Sequence, residues 1–374
     1  MRITALSGGV GGARFLRGLL DALPPTGEPG ATTEVTVVGN TADDVTLRGL
    51  RVCPDLDSVT YTLGGGADEA RGWGREGETF TTAGELAAHD AALGLPPQWF
   101  ALGDRDTATH VLRTRMLADG VPLGEVTTAL AARWGLADLG VRLLPATDDR
   151  AETHVLVDAA EAPLDAASVR SPLAAGLDAP PGTHALHFQE WWVRHGARPL
   201  PRAVVVAGAA AARPAPGVLE AVATADVVLL PPSNPVVSLG AVLAVPGLRD
   251  ALRRTPAPVV GVSPLVGGRP VRGHADACLR AVGVPATARD VAALYADLLD
   301  GWLVAPGDEH GDGPALPGAV VRAEPLLMTT RDDAARIARA ALDLAADLAA
   351  DADLDVRRRS RPTAAPAAHA GMVA

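Results

Sequence analysis

The sequence predicts an α/β fold, a mostly parallel sheet flanked by helices, with a helical insertion subdomain. Three observations carry this expectation. Short apolar runs of strand length recur at residues 3–6, 35–38, 227–230 and 259–262. Each run ends in a turn rich in Gly, Pro, Ser or Asn, and segments of helical period lie between them. From residue 61 to 139 the strand signal stops and three helical stretches replace it. A chain of 374 residues is long enough to bury a large core in one or two domains.

The first strand leads into Ser7-Gly8-Gly9-Val10-Gly11-Gly12-Ala13-Arg14. Beyond it, apolar residues at 15, 16, 19, 20 and 23 share one helical face. Backbone N–H groups at such a strand-to-helix turn, with a helix N-terminus behind them, form an anion site. Gly8, Gly9, Gly11 and Gly12 lack the Cβ atoms that would hold a phosphate away. The spacing departs from the dinucleotide fingerprint, because Arg14 stands where the third glycine belongs. The chain contains no lysine, which excludes a phosphate-loop lysine and a Schiff-base lysine. The competing reading is a glycine turn that serves only close helix–strand packing.

Residues 24–33 form a Pro- and Gly-rich loop before the second strand, which ends in Gly39-Asn40-Thr41-Ala42-Asp43-Asp44. Residues 50–59 begin as a further strand that stops at Pro54, where the ladder loses a donor. Asp43, Asp44, Asp55 and Asp57 thus cluster at the ends of neighbouring strand-like segments. Ligands of open α/β sheets bind beyond the carboxyl ends of the strands, so these aspartates share a rim with the glycine turn. If the segment is extended, Asp55 and Asp57 point the same way and Leu56 points inward. Carboxylates beside a phosphate site suit Mg²⁺, which takes one or two of them together with phosphate oxygens and water. Taken singly, each aspartate reads more simply as a helix cap or a solvated turn.

Helices are expected over residues 85–93, 108–119 and 123–134, in an insertion that covers the strand rim. The helix start at Gly103 to His110 concentrates Asp104, Arg105 and His110 in one turn, as either a capping network or a ligand site. Residues 164–181 read as an exposed Ala- and Pro-rich loop. His187 to Arg194 then brings two adjacent tryptophans into a chain with only 3% aromatics. Such a pair stacks on a flat ring or fills a gap in the core.

In the last third, strands at 203–207, 227–230, 259–262, 303–304 and 326–328 alternate with helices. The second of these runs into Ser233 and Asn234 and the third into Ser263, polar turns suited to a base or a phosphate. Gly267, Gly268 and Gly273 with Arg269 and Arg272 suggest a second anion cradle. Thr330 caps a final helix whose apolar positions are Ile337, Ala341, Leu344 and Leu348. Residues 357–374, Arg-rich and then Ala- and Pro-rich, read as disordered.

Bulk properties narrow the function classes. A net charge of -11 and the lack of a basic, aromatic stripe argue against a nucleic-acid partner. The two cysteines, Cys53 and Cys278, make neither a disulfide framework nor a zinc site. No signal peptide and no apolar run near membrane-spanning length are visible, so a cytoplasmic protein without a membrane partner is expected.

Several of these runs occur together, in this order, in one family. They are Ser7 to Arg14, Asn40 to Asp44, Pro54-Asp-Leu-Asp57, Leu102 to His110, His187-Phe-Gln-Glu-Trp191, Pro232-Ser-Asn-Pro235 and Ser263-Pro264. From residue 1 to about residue 350 the chain resembles the 2-phospho-L-lactate transferases of coenzyme F420 biosynthesis. Arg71-Gly-Trp-Gly74 and Glu190-Trp-Trp-Val-Arg194 are most similar to the actinobacterial branch, which uses an enolpyruvyl donor.

The resemblance implies a Rossmann-like three-layer core of residues 1–60 and 140–350, with the 61–139 insertion over the active site. It implies transfer of a phospholactyl or phosphoenolpyruvyl group from a guanosine diphosphate ester to the ribityl hydroxyl of the deazaflavin Fo, with release of GMP. Family members are Mg²⁺-dependent and often homodimeric. On this resemblance Asp43 and Asp57 lead as catalytic and metal-binding residues, with Asp55 next. Gly8, Gly9, Gly11 and Gly12 would hold phosphates, and Ser233, Asn234 and Ser263 would meet the nucleotide end. The deazaflavin is expected beside Asp57 and Ala101, with Asp104, Arg105 and His110 near it. Ala101 departs from relatives with a longer side chain there and leaves only a main-chain contact. A related group shares the Gly-Gly-x-Gly turn without a known transferase reaction, so a regulatory nucleotide-sugar binding protein is the alternative. Asp55, Asp57 and the 187–192 run argue against it. An NAD-dependent oxidoreductase lacks its third glycine and its acidic partner.

Overall fold

The computed structural model describes residues 1–24, 33–310 and 316–363. The chain opens with β1 (Arg2–Ser7), α1 (Gly9–Ala22), β2 (Glu34–Gly39), the hairpin β3 (Val45–Leu47) and β4 (Leu50–Val52), and α2 (Pro54–Leu63). The insertion carries α3 (Thr81–Ala92), α4 (Asp104–Ala118) and α5 (Leu123–Ala132), and leads into β5 (Val141–Pro145). Next come β6 (Glu152–Asp158), β7 (Thr183–His187), β8 (Ala203–Ala207), α6 (Val218–Ala223), β9 (Val227–Leu230), α7 (Leu239–Leu243) and α8 (Leu248–Arg254). The chain continues through β10 (Val259–Val262), β11 (Leu265–Val266), β12 (Arg269–Pro270), α9 (Ala275–Ala281) and α10 (Ala288–Ala293). It closes with β13 (Gly301–Val304), β14 (Val320–Ala323), α11 (Arg331–Ala350) and α12 (Leu354–Arg359).

Seven strands form one sheet in the order β14-β13-β10-β9-β1-β2-β5, and every pairing is parallel. Counted along the chain, the order is 3-2-1-4-5-6-7, a doubly wound sheet whose direction of winding reverses between β1 and β9. Alternate residues of each strand feed two cores, because successive side chains leave opposite faces. Ala5, Val37, Leu143, Leu229 and Val260 join α1, α2, α5 and α11 on one face. Leu6, Val38, Leu144, Val228 and Val259 join residues of α6 to α10 on the other. The result is the expected three-layer, Rossmann-like core. Gly18 lets α11 lie close on α1, since a Cβ there would stand 2.6 Å from the Ala334 Cβ.

Several local expectations are corrected. The first helix starts at Gly9, so Gly9, Gly11 and Gly12 belong to its opening turn. Residues 54–63 are a helix, not an extended tail and a loop, because proline at the first helical position removes only a donor that the helix leaves unpaired. The 203–207 strand joins an antiparallel sheet of order β7-β6-β8 instead of the parallel one. The last strand is Val320–Ala323, while residues 326–328 are irregular. The Arg-rich tail is ordered as far as it is described. Leu354–Arg359 is helical, and Arg358 and Arg361 bond to the fully buried Asp300. Residues 364–374 of the expected disordered tail lie outside the described residues. Among the described residues no helix is long and apolar enough to cross a membrane.

Candidate active site

The switch in winding leaves a gap between the carboxyl ends of β1 and β9, and a cavity of about 650 Å³ opens there. The Gly8 N–H bridges the two strand ends by donating to Ser233 Oγ at 3.2 Å. Glycine is required here for close approach. A Cβ at Gly8 would stand 2.7 Å from Asp55 Oδ2, and one at Gly11 would stand 2.6 Å from the Pro232 carbonyl oxygen. Gly12 is pressed against Ser7 Oγ and faces the core. Gly9, at φ +68, meets nothing nearer than Asp55 Oδ1 at 3.9 Å. Gly12 thus serves packing, whereas Gly8, Gly9 and Gly11 line the cavity.

Asp43, after β2, and Asp55, in the first turn of α2, line the same cavity. Both are buried. Burial pushes the Asp43 carboxyl well up, and the neighbouring Asp55 and Asp44 push it further. Burial lifts Asp55 to about 6, against the pull of the Asn40 amide and the Gly9 backbone. Asn40 Nδ2 donates to Asp55 Oδ2 at 2.9 Å and to the Val237 carbonyl at 3.2 Å, which fixes the carboxylate's orientation. Among the described residues, Asp43 Oδ1 is buried without a hydrogen-bond partner. Two adjacent buried carboxylates, both raised by burial and one with an orphaned oxygen, make a hard-oxygen donor set suited to Mg²⁺. Behind them Asp44 is pushed up to about 7 by burial, with Arg51 3.7 Å away.

Asp57 is placed differently. One helical residue advances about 100°, so Asp55 and Asp57, two positions apart, leave α2 on roughly opposite sides. Asp55 faces the glycines, while Asp57 turns to α4 and pairs with Arg113 through both carboxylate oxygens. Arg113 Nη1 also lies 3.0 Å from His110 Nδ1, and Tyr61 Oη donates to Asp106 Oδ1 at 2.6 Å. Asp57, Asp106 and His110 bring ligand atoms within 4.8 Å of one another. The Arg113 guanidinium already neutralises Asp57, so this cluster locks α4 onto α2 around an arginine.

The remaining expected residues separate into two groups. Ala101, Ser233, Asn234 and Ser263 line the cavity. Asn234 Oδ1 accepts from the Val236 and Val237 N–H groups, and Ser263 Oγ accepts from the Leu265 N–H, so both polar turns are held by their own backbone. Asp104 and Arg105 lie outside the cavity lining. Asp104 accepts from the Thr81 and Thr82 N–H groups and so caps α3, while Glu78 accepts from the Arg105 and Asp106 N–H groups and caps α4. His110 is buried in the Arg113 network.

The two adjacent tryptophans take different places. Trp191 is fully buried, with Nε1 donating to the Pro199 carbonyl, whereas Trp192 lines the cavity beside Phe188 and His274. Sequence reasoning missed the wall built by Trp73, Trp99 and Phe100. Trp99 and Phe100 come from a segment that carries no motif of its own, and Trp73, within the Arg71 to Gly74 run, carries no separate role there. It also left Asn40 without a separate role, although its place in the Asn40 to Asp44 turn was the available signal.

Comparisons with known proteins place the chain in a family. The family model described as 2-phospho-L-lactate transferase CofD matches residues 3–312. The chain is 54% identical over 350 residues to a phosphoenolpyruvate transferase of Thermobifida fusca, covering 93% of this chain and 99% of that one. It is 53% identical to one of Kitasatospora aureofaciens, covering 92% and 98%. A third, from Mycolicibacterium smegmatis, is 47% identical, covering 92% and 99%. Among solved structures, a Bacillus halodurans protein superposes with a TM-score of 0.53 at 16% identity, covering 91% of this chain and 99% of that one. A second structure from that organism, described as a member of the UPF0052 family, gives 0.53 at 15%. At such identity the likeness shows the fold alone.

Proposed function

The chain belongs to the 2-phospho-L-lactate transferase CofD family, and from that premise we propose that it transfers a phosphoenolpyruvyl or phospholactyl group to the deazaflavin Fo. The donor is a guanosine diphosphate ester, and GMP is released. The similarity to proteins named phosphoenolpyruvate transferases favours the enolpyruvyl donor. One observation carries the proposal: Asp43 and Asp55, buried and each destabilised as an anion, share a cavity wall with Gly8 and Gly9.

Phosphoryl-type transfer needs positioning and charge neutralisation more than covalent help. Asp43 and Asp55 would hold a Mg²⁺ ion, and Asn40 would keep Asp55 aimed at it. The ion, when bound, supplies neutralisation of the diphosphate oxygens. The Gly8 and Gly9 backbone approaches the phosphates without side-chain hindrance. Ser233, Asn234 and Ser263 face the nucleotide, and Trp73, Trp99 and Phe100 offer flat surfaces to a ring system. Asp57 acts through Arg113: it fixes α4 and, with it, the Phe100 and Ala101 wall where Fo is expected. The ribityl hydroxyl oxygen forms a bond to the distal phosphorus, the bond to the GMP oxygen breaks with its electron pair, and the hydroxyl proton passes to solvent. A cytoplasmic homodimer completes the proposal and rests on the resemblance alone.

The test is incubation of the purified protein with Mg²⁺, Fo and each guanylyl donor, followed by product mass and GMP release. A phosphodiester of Fo with equimolar GMP is expected, stopped by EDTA and restored by Mg²⁺. GDP binding without GMP release from either donor would favour the regulatory nucleotide-binding alternative.

A further inference from the structure

We propose that Arg14 and Arg272 form a two-guanidinium subsite for the carboxylate of the donor's acid group. The inference deepens the transfer reading above and rests on it. Two arginines line the cavity, Arg14 on α1 and Arg272 in the loop after β12. Its lining carboxylates, Asp43 and Asp55, belong to the proposed cation site. Among the described residues neither arginine pairs with a carboxylate, although ion pairs occupy Arg17 and Arg71 beside them.

Arg272 is held in place. Its guanidinium lies against Gly72, whose φ of +76 and missing side chain leave room for it, and it donates to the Arg71 carbonyl at 3.4 Å. Partial desolvation at the cavity wall and the neighbouring Arg14 both make its charge less favourable, as expected of a pair that awaits an anion.

The position separates this subsite from the phosphates. Asp55 stands over Gly8 and Gly9. Arg14 lies five residues beyond Gly9, roughly 7.5 Å further along the helix at 1.5 Å per residue. A diphosphate seated at the glycines therefore leaves the acid group to extend along α1 toward the arginines. Both candidate donors end in a carboxylate, which the guanidinium fork matches through two parallel hydrogen bonds.

GDP carries the guanosine and the two phosphates but lacks the acid group, so it separates the two kinds of anion. The donor KM is measured by GMP release and the GDP Kd by calorimetry, for the wild type, Arg272→Gln, Arg14→Gln and Arg272→Lys. Arg272 is exposed, so its replacement leaves the fold standing. Each glutamine variant is expected to raise the donor KM about 10- to 100-fold, the worth of a charged hydrogen-bonded pair. The GDP Kd should stay within about twofold, and Arg272→Lys should fall between. An equal rise in both constants would assign the arginines to the phosphates and overturn the proposal, as would no change in either. A wild type that binds GDP but uses neither donor would remove the transfer reading, and this proposal with it.

Discussion

Asp55 and Asp57 stand two positions apart and do different work. Asp55 is a buried carboxylate without a cationic side-chain partner, held up near 6 by desolvation. Asp57 is half of a buried ion pair with Arg113. Their neutral isosteres should therefore separate stability from activity. Asp55→Asn removes a destabilised charge, so the thermal midpoint should hold or rise while GMP release is lost. Asp57→Asn leaves Arg113 buried and unmatched, at a cost of about 3 kcal/mol, so both the midpoint and the transfer rate should fall. Thermal denaturation and GMP release measured on both variants check this, and equal midpoints for the two would refute the division of labour. The identity of these aspartates was legible in the sequence, because acidic residues gathered beside a glycine turn are conspicuous. Their orientation was not, since an extended reading aims both at one target.

At the scale of elements, that misreading has a single cause. As sequence, Pro54 reads as the end of a strand, whereas in the fold the same residue opens α2. The consequence is functional, for a helix turns Asp57 toward α4 and an extended chain would not. The glycine turn and the polar turns at Ser233 and Ser263 were legible because each follows a strongly apolar strand. The antiparallel sheet of β6, β7 and β8 was not, as pairing partners distant in sequence leave no local mark. That sheet stacks His154 against His187, with ring centroids 5.5 Å apart. Burial and the His154 neighbour lower His187 to about 3, and its Nε2 lies 3.2 Å from the Asp44 carbonyl oxygen. In the unfolded chain the same imidazole titrates near 6.5. Below that value the unfolded state takes up a proton that the folded state refuses, so His187 subtracts up to about 1.4 kcal/mol of stability per pH unit. Asp44 and Asp55 act in the opposite sense, because their raised values let the metal-free folded state bind protons first. The difference between wild type and His187→Gln isolates the histidine. Denaturant titrations of metal-free protein from pH 7 to pH 5 should show the variant gaining stability relative to wild type as pH falls. A pH-independent difference would mean that His187 is not held neutral.

Across the whole molecule, strand order places the site. The α/β class, the parallel runs and the insertion were legible from apolar periodicity. The 3-2-1-4-5-6-7 order was not, yet it is this order that reverses the winding between the paired strands β1 and β9 and opens the cavity beyond their carboxyl ends. The C-terminal segment shows the same limit. Its composition reads as disordered, but Arg358 and Arg361 close on Asp300 behind the sheet because a buried carboxylate there needs partners. Two faces of core, one turn of glycines and one pair of buried carboxylates thus converge on a single opening. The most direct measurement is a crystal structure of the protein soaked with GDP and Mg²⁺. The account predicts the ion on Asp43 and Asp55 with the diphosphate against Gly8 and Gly9. An ion and a nucleotide bound elsewhere, with those two carboxylates left bare, would contradict it.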